Sequence, residues 1–370
     1  MTTLRRAFGK PLIAVSIILA IALAVAVLVG ILGFSEGMQA MLGASGDSLN
    51  TVVLRDGSVS ETTSVIDEGR ANQFANLEGA ASDAQGRSLV SPERWTYVNE
   101  PRRDGSFANI AFRGLTEVGR ELRPEVHLSA GRWYTPGKHE IVASQLLSKR
   151  FLQTEVGDTL STGQTPWTVV GLFDAQETAY ASEMWTDESD LREVFGQPYA
   201  TLLVRASNLQ GARNFQDRVL RNPQLQLRAV PERRYFAQQG MMLFVLRLVA
   251  YLVATLMAVG AVFGLINMTS YFASQHTGKG LSQASMISPI VASVVLAVCG
   301  GIIGILFILP FAGRTLATTN WYSFAEFLFP LRVSPGLMLR GLTFAVCIGL
   351  VGGLLSALRV SSGIKATSLP

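Results

Sequence analysis

The chain has 370 residues, of which 49% are hydrophobic and only 16% charged, with a mean hydropathy of +0.32, more apolar than an ordinary soluble protein. A net charge of +4 and a pI near 9.2 do not make a nucleic-acid binder, because the excess is small and no basic run carries interleaved aromatics. Both cysteines, Cys299 and Cys347, lie in apolar windows, where they are predicted to behave as small buried apolar residues, so the polar part of the chain must rest on a packed core without staples.

The first element is an apolar run from Leu12 to Leu32, preceded by Arg5, Arg6 and Lys10. A secretory signal would also start with positive charge, but its apolar region is about 7–15 residues long and ends at a small-x-small cleavage site. This run is longer, so a retained transmembrane helix is predicted over 12–33, after a cytoplasmic segment 1–11. The chain leaves that span through Phe34, Ser35, Glu36 and Gly37.

Residues 34–234 read as a mixed α/β domain outside the membrane. The predicted strands are Thr51–Leu54, Phe107–Leu115 with a break at Gly114, His139–Ala143, Trp167–Val170, Glu183–Trp185, Thr201–Val204 and Gln224–Val230. Helices are predicted over Ser144–Leu152, over Asp187–Phe195 between Thr186 and Gly196, and over Leu209–Leu220. In the last, Leu209, Ala212, Phe215, Val219 and Leu220 keep helical spacing. Residues Glu61 to Gln85, rich in Ser, Ala, Asn and acids, read as a separate helical lobe or a loop.

From Pro231 to Phe272 a polar segment passes into an apolar one, with no proline between Tyr235 and Pro289. One helix of about forty residues is predicted, ~60 Å long and about twice the thickness of a bilayer core. Residues 235–272 are thus read as a stalk plus the second span, a lever in which Tyr235, Phe236, Met241 and Met242 occupy the stalk. A short cytoplasmic loop 273–289 follows, then a third span 290–311, a short external loop 312–339, a fourth span 340–358 and a cytoplasmic tail 359–370. Both termini then share one side, and Arg5, Arg6, Lys10, Lys279, Arg359 and Lys365 place it inside. Arg247, Arg340 and Glu36 are read as charges reaching the outer interface rather than as a transport path. Trp321, Tyr322, Phe324 and Phe327 are read as an aromatic belt rather than a ligand cage.

The chemistry of common enzymes is missing. Thr277-Gly278-Lys279-Gly280 lacks the upstream glycine and the hydroxyl of a phosphate-binding loop, so this chain is not expected to hydrolyse ATP. His139-Glu140 starts like a zinc-protease helix, but Ala143 stands where the second histidine is needed. With His127 and His276 the only other histidines, a metal site has few ligands. No Gly-x-Ser-x-Gly elbow occurs. Neither catalytic, cofactor nor metal residues are assigned.

One span, a large domain and three further spans resemble the four-helix permease subunits of the MacB/FtsX/LolC type of ATP-binding cassette system. The more specific stretches are Leu128-Ser129-Ala130-Gly131-Arg132-Trp133-Tyr134, His139-Glu140-Ile141-Val142-Ala143-Ser144, Val156-Gly157-Asp158-Thr159-Leu160 and Trp167-Thr168-Val169-Val170-Gly171-Leu172-Phe173. Gly260 to Asn267 and Gly349 to Ala357 are also similar to the family. The resemblance implies an α+β membrane protein of the bacterial inner membrane, with four transmembrane helices and a large mixed α/β periplasmic domain inserted between the first and second. It implies a non-catalytic permease working as a pair, with a second copy or a paralogous permease. A separate cytoplasmic ATPase would carry the ATP and magnesium, its motion would pass to the periplasmic domains, and a periplasmic adaptor or substrate protein would be a further partner.

The family's loop between the second and third spans normally carries an acidic coupling helix. Here Ser274 to Ile287 is short and contains no acid, and Gly278 and Gly280 weaken a helix. His276, Lys279, Leu281 and Met286 are therefore read as the ATPase-coupling loop, or else a paralogous permease supplies the better coupling helix. The rival reading from another class is a receptor or scaffold that recruits a partner without ATP; association with an ATPase discriminates the two.

Overall fold

The computed structural model describes residues 11–75, 79–162, 165–274 and 284–367. Arg5, Arg6, Lys10, His276, Lys279 and Leu281 lie outside the described residues. In chain order the elements are α1 (Pro11–Ala44), β1 (Asn50–Arg55), α2 (Glu68–Ala75), β2 (Val90–Pro101), β3 (Phe107–Leu115), α3 (Glu117–Glu121), β4 (His127–Gly131), β5 (Glu140–Ser144), α4 (Gln145–Ser148), β6 (Thr159–Thr162) and β7 (Thr165–Asp174). They continue with β8 (Glu183–Asp187), α5 (Glu188–Phe195), β9 (Thr201–Arg205), α6 (Leu209–Leu220), β10 (Leu227–Pro231), α7 (Glu232–Gln239), α8 (Met242–Ser274), α9 (Ala284–Ile308), β11 (Thr315–Thr319), β12 (Glu326–Pro330) and α10 (Pro335–Thr367). These form two compact units: Met1–Gly37 with Met242–Arg314 and Pro330–Pro370, and Met38–Met241 with Thr315–Phe329.

The first unit holds most of the apolar helical stretches, and among the described residues four are long and apolar enough to cross a bilayer. Its core joins Ile17, Ile21, Val25 and Leu28 of α1 to Ala254, Ala261 and Leu265 of α8, Ala297 of α9, and Leu337, Ala345 and Ile348 of α10. Close approach is set by glycines. A Cβ on Gly349 would lie 2.8 Å from Ala297 Cβ and Val294 Cα, and one on Gly353 would lie 2.7 Å from Ile290 Cα. Cys299 and Cys347 are free and exposed on this unit, not buried as predicted, because the helix contacts are made by other faces, through Leu296, Ala297, Ala345 and Ile348. Arg247 donates from Nε to Ser35 Oγ at 2.7 Å, and Glu36 accepts from Ser334 Oγ at 2.9 Å and lies 3.5 Å from Arg340. The three charges predicted to reach the outer interface thus have polar partners, Ser35 for Arg247, and Ser334 and Arg340 for Glu36.

In the second unit the strand order is β10-β1-β9-β2-β3-β8-β5-β7-β4, with β6 on β7. The β3–β8 and β5–β7 pairs are parallel and the others antiparallel. The long strand β2 joins the two halves, because Val90–Glu93 pairs with β9 and Arg94–Pro101 with β3. One core lies around Val53, Leu202, Val204, Phe215 and Val219; the other around Ile110, Phe112, Ile141, Leu160, Trp167 and Val169. The motif glycines pair across β4 and β7, where Gly131, at φ +71°, faces Gly171 so closely that a Cβ on either would overlap the other strand's backbone.

Several sequence expectations change. No helical lobe forms among the described part of Glu61 to Gln85; a 3-10 turn (Glu61–Thr63) and α2 pack Ile66 and Ala71 into the first core. Gly114 does not break its strand. It lies within β3, where a Cβ would come 2.9 Å from Glu188 Cα, so the glycine admits α5. α1 continues past 33 to Ala44, α9 starts at Ala284 inside the predicted loop, and α10 exceeds 340–358 at both ends. The forty-residue helix is interrupted: α7 ends at Gln239, Gly240 and Met241 form a turn, and α8 begins at Met242. The turn closes through Gly240 N to Ala237 O at 3.1 Å and Met241 N to Gln238 O at 3.2 Å, and a glycine is a poor helix-interior residue.

Candidate functional site

In the second unit the site is built around α7, the element predicted to be stalk. Glu232, its first residue, is 1% exposed. Its Oε2 accepts from Asp47 N at 2.8 Å and Asn50 Nδ2 at 2.9 Å, and its Oε1 from the Tyr180 hydroxyl at 2.6 Å. The segment that follows α1 is therefore fastened to the start of α7. Gly46, at φ +82°, makes this approach possible, since a Cβ there would lie 2.7 Å from Glu232 Cγ. Ser45 adds a second tie, donating to Met41 O and accepting from Ala179 N, both at 2.8 Å.

Beneath α7 lies a closed set of charges. Arg113 of β3 forks onto Glu183 at 2.7 Å through both Nε and Nη2, onto Glu61 at 2.5 and 2.9 Å, and onto Glu93 at 2.9 Å. Arg123 makes a bidentate pair with Glu93 at 2.7 and 2.8 Å, with its guanidinium 4.8 Å from the Tyr180 ring centre. Tyr235 contacts Glu61 at 3.4 Å. All of these side chains except that of Glu61 are nearly or fully buried. With Glu232 the cluster holds four carboxylates against two guanidiniums, so its members share charge unequally. Burial raises the Glu61 pKa, opposed by Arg113 and aided by Glu183 and Glu93. Glu93 is also penalised by burial, but Arg123 and Arg113 reverse the effect and hold it below the ordinary carboxylate range. A cavity of about 10 Å³, room for one water, is lined by Glu61, Glu93, Arg113, Arg123, Tyr180, Glu232 and Tyr235.

The far end of α7 meets a third chain segment. Gln239 Oε1 accepts from Asn320 Nδ2 at 2.6 Å, both residues being buried. Asn320 sits in the turn of the β11–β12 hairpin, within the predicted external loop 312–339. The hairpin is part of the second unit: Leu328 enters its core, and Glu326, 2% exposed, accepts from Arg102 and Arg150 at 2.9 Å. Tyr322 O accepts from the Ser60 and Thr62 hydroxyls, and Phe327 is buried. Only Trp321 and Phe324 remain exposed.

Of the predicted stalk residues, Tyr235 and Phe236 are 3% and 5% exposed and belong to this site, with Phe236 against the Tyr180 ring at 5.5 Å. Met241 and Met242 are exposed and stand outside it. Of the predicted coupling residues only Met286 lies in a described element, α9, away from these residues in sequence and in the other unit. The charged members were missed. The available signal was Arg113, a charge following Ile110-Ala111-Phe112 inside a strand, which needs a buried counterion.

Residues 15–221, more than half of the chain, match the profile of the MacB-like periplasmic core domain. Among solved structures the chain is similar to the periplasmic region of MacB from Actinobacillus actinomycetemcomitans, at 14% identity and a TM-score of 0.39 over 50% of this chain and 89% of that one. It is also similar to the extracellular domain of the noncanonic ABC-type transporter YknZ from Gram-positive bacteria, at 16% identity and a TM-score of 0.38 over 49% and 99%. A domain of a putative permease protein from Porphyromonas gingivalis follows at 12% identity and a TM-score of 0.34 over 50% and 90%. No curated protein matches the chain. On the family profile, the chain belongs to the family of the MacB-like periplasmic core domain, the MacB/FtsX type of ATP-binding cassette permease.

Proposed function

We propose that the chain is the non-catalytic permease subunit of an inner-membrane ATP-binding cassette machine and transmits motion to its own α/β domain. A separate cytoplasmic ATPase supplies the energy, and a second copy or a paralogous permease completes the complex. In this reading both termini are cytoplasmic, the α/β domain is periplasmic, and His276, Lys279, Leu281 and Met286 contact the ATPase. The output is export, or transport of lipoproteins or other envelope components, with a periplasmic adaptor or substrate protein as the receiving partner.

The observation that carries the reading is the gathering at α7. The segment after α1 and the hairpin between α9 and α10 are joined to it by hydrogen bonds on the buried side chains of Glu232 and Gln239, and the chain runs on into α8 through the Gly240–Met241 turn. A helix so fastened moves with the domain as one piece, because losing any of these bonds strands a buried polar group at ~1–3 kcal/mol. Transmission then acts through α7 and its turn rather than through an unbroken lever.

Purification of the full chain from its native membrane, followed by ATP turnover and transport assays, tests the proposal. An ATPase should co-purify, and Glu232→Ala should retain ATP turnover while losing most of the transport output. Absence of any ATPase would instead support the receptor or scaffold reading, and full transport in Glu232→Ala would remove α7 from the mechanism.

A further inference from the structure

A second feature of the α/β unit is independent of α7. Two basic pairs far apart in sequence, Arg102-Arg103 at the end of β2 and Lys149-Arg150 after α4, are brought together by main-chain bonds. Arg103 N donates to Arg150 O at 2.9 Å, Leu152 N donates to Pro101 O at 3.0 Å, and Arg102 bridges Phe151. The result is a cavity of about 290 Å³ lined by Arg103, Asp104, Leu146, Lys149, Arg150 and Thr315. That is near the lower end of the roughly 300–1,000 Å³ usual for small-molecule sites.

The cations are unequally engaged. Glu326 takes Arg102 and, through Nε and Nη2, Arg150, leaving Arg150 Nη1 without a protein acceptor among the described residues. Arg103 uses Nη2 for Ser148 O and for Glu155, a carboxylate that is itself 61% exposed, leaving Nη1 and Nε without one. Lys149 is exposed and makes no ion pair among the described residues. Asp104, the one acid lining the cavity, is turned to Ser106, whose amide and hydroxyl hold its carboxylate below its ordinary pKa. Leu146 contributes an apolar wall that continues into the second core.

We infer that this cavity binds an oxyanion headgroup of the phosphate type. Arg103 would meet it with Nη1 and Nε, Arg150 with Nη1, Lys149 with its ammonium and Thr315 with its hydroxyl, while Leu146 lies against the group that carries it. Guanidinium forks suit oxyanions because several donors lie in fixed directions, and an ammonium adds a mobile point charge. Glu155 stays on Arg103 Nη2, so no ion pair has to break for the ligand to reach Nη1 and Nε. The same chemistry is met in a free phosphate and in a phospholipid headgroup.

The test uses the full chain in nanodiscs of phosphatidylcholine, titrated calorimetrically with inorganic phosphate, with dioctanoyl-phosphatidylglycerol and with dioctanoyl-phosphatidylcholine. Saturable binding of phosphate assigns a soluble source, and binding of the anionic short-chain lipid alone assigns a headgroup. In either case Lys149→Met with Arg103→Gln should weaken binding about ten-fold or more. Since Arg103 also holds Ser148 O, Lys149→Met alone serves as the variant that leaves every protein contact intact, with a smaller loss in the same direction. No saturable binding of either anion, or binding that neither variant changes, overturns the assignment.

Discussion

The two units are held together by different means. In the helical unit the core is built of Ala, Ile, Val and Leu, glycines bring the helices into contact, and the polar pairs Ser35–Arg247 and Glu36–Ser334 are confined to a few positions. In the α/β unit the root of α7 rests on Arg113, Arg123 and their four carboxylates. Packing by shape is most sensitive to changes of side-chain volume, whereas a buried ion network is most sensitive to the loss of one charged partner. Buried ion pairs are rarely the most stabilising solution, and here the forked bonds orient Glu61, Glu93 and Glu183, while α7 is held on the cluster through Glu232 to Tyr180 and Tyr235 to Glu61.

The sharpest break of this comparison is Arg113→Ala. It leaves Glu61, Glu93 and Glu183 without their shared counterion and is expected to destabilise the α/β unit by about 3–5 kcal/mol. Loss of its cooperative melting transition by circular dichroism, with membrane insertion retained, is the outcome to look for. The matching change in the other unit is Gly349→Val, which drives a side chain onto Ala297 and Val294 and should cost about 1–3 kcal/mol. That variant should weaken the helical unit in detergent while leaving the α/β transition in place; a shift of both transitions together would mean that the two means of packing are not separable.

Acidity sharpens the contrast. Arg132 grips Glu140 with two bonds of 2.6 Å and, with Thr135 N, lowers its pKa to about 2. A depressed carboxylate stabilises the fold above its unfolded value and loses that contribution as pH falls from about 4.5 through 2. Melting temperatures measured across this window should therefore fall more steeply for the wild type than for Arg132→Met. Glu100 gives the smallest and opposite effect. Burial pushes its pKa up to about 7, so the folded state binds the extra proton between roughly 4.5 and 7 and stability declines as pH rises through that interval. Allowing for solvent screening, Glu100→Gln should raise the melting temperature by about 2–4 °C at pH 8 and hardly at all at pH 5.

Much of the α/β unit was legible in the sequence because local patterns agree with it. Phe107–Leu115 and Leu209–Leu220 fall where alternation and helical spacing put them. The strand β2 was missed because Pro92 and Pro101 lie within it, and proline normally argues against a strand. The two short strands of the β11–β12 hairpin were not singled out within the external loop, because Trp321, Tyr322, Phe324 and Phe327 lie between two apolar helices, a setting in which aromatic residues usually mark the bilayer surface. The network at α7 was out of reach for another reason: its partners come from six separated places in the chain, Glu61, Glu93, Arg113, Arg123, Glu183 and Glu232, and only the fold brings them together. The break at Gly240 was written in the sequence as a glycine, but apolar continuity on its far side outweighed it.

The hairpin also sets a schedule for biosynthesis. Leu328 completes the second core and Glu326 neutralises Arg102 and Arg150, yet both emerge from the ribosome after α9. Until then the nascent α/β unit carries an unfilled apolar gap and two unpaired arginines, a state that resembles a substrate for chaperones and proteases more than a finished domain. A chain truncated before Thr315, or a fragment cut from Gly43 to Arg234, would be left in that state, because it lacks the hairpin; the fragment also lacks most of α7. The α/β unit thus gains its last core residue and the counterion of Arg102 and Arg150 only once the chain has been made as far as Pro330.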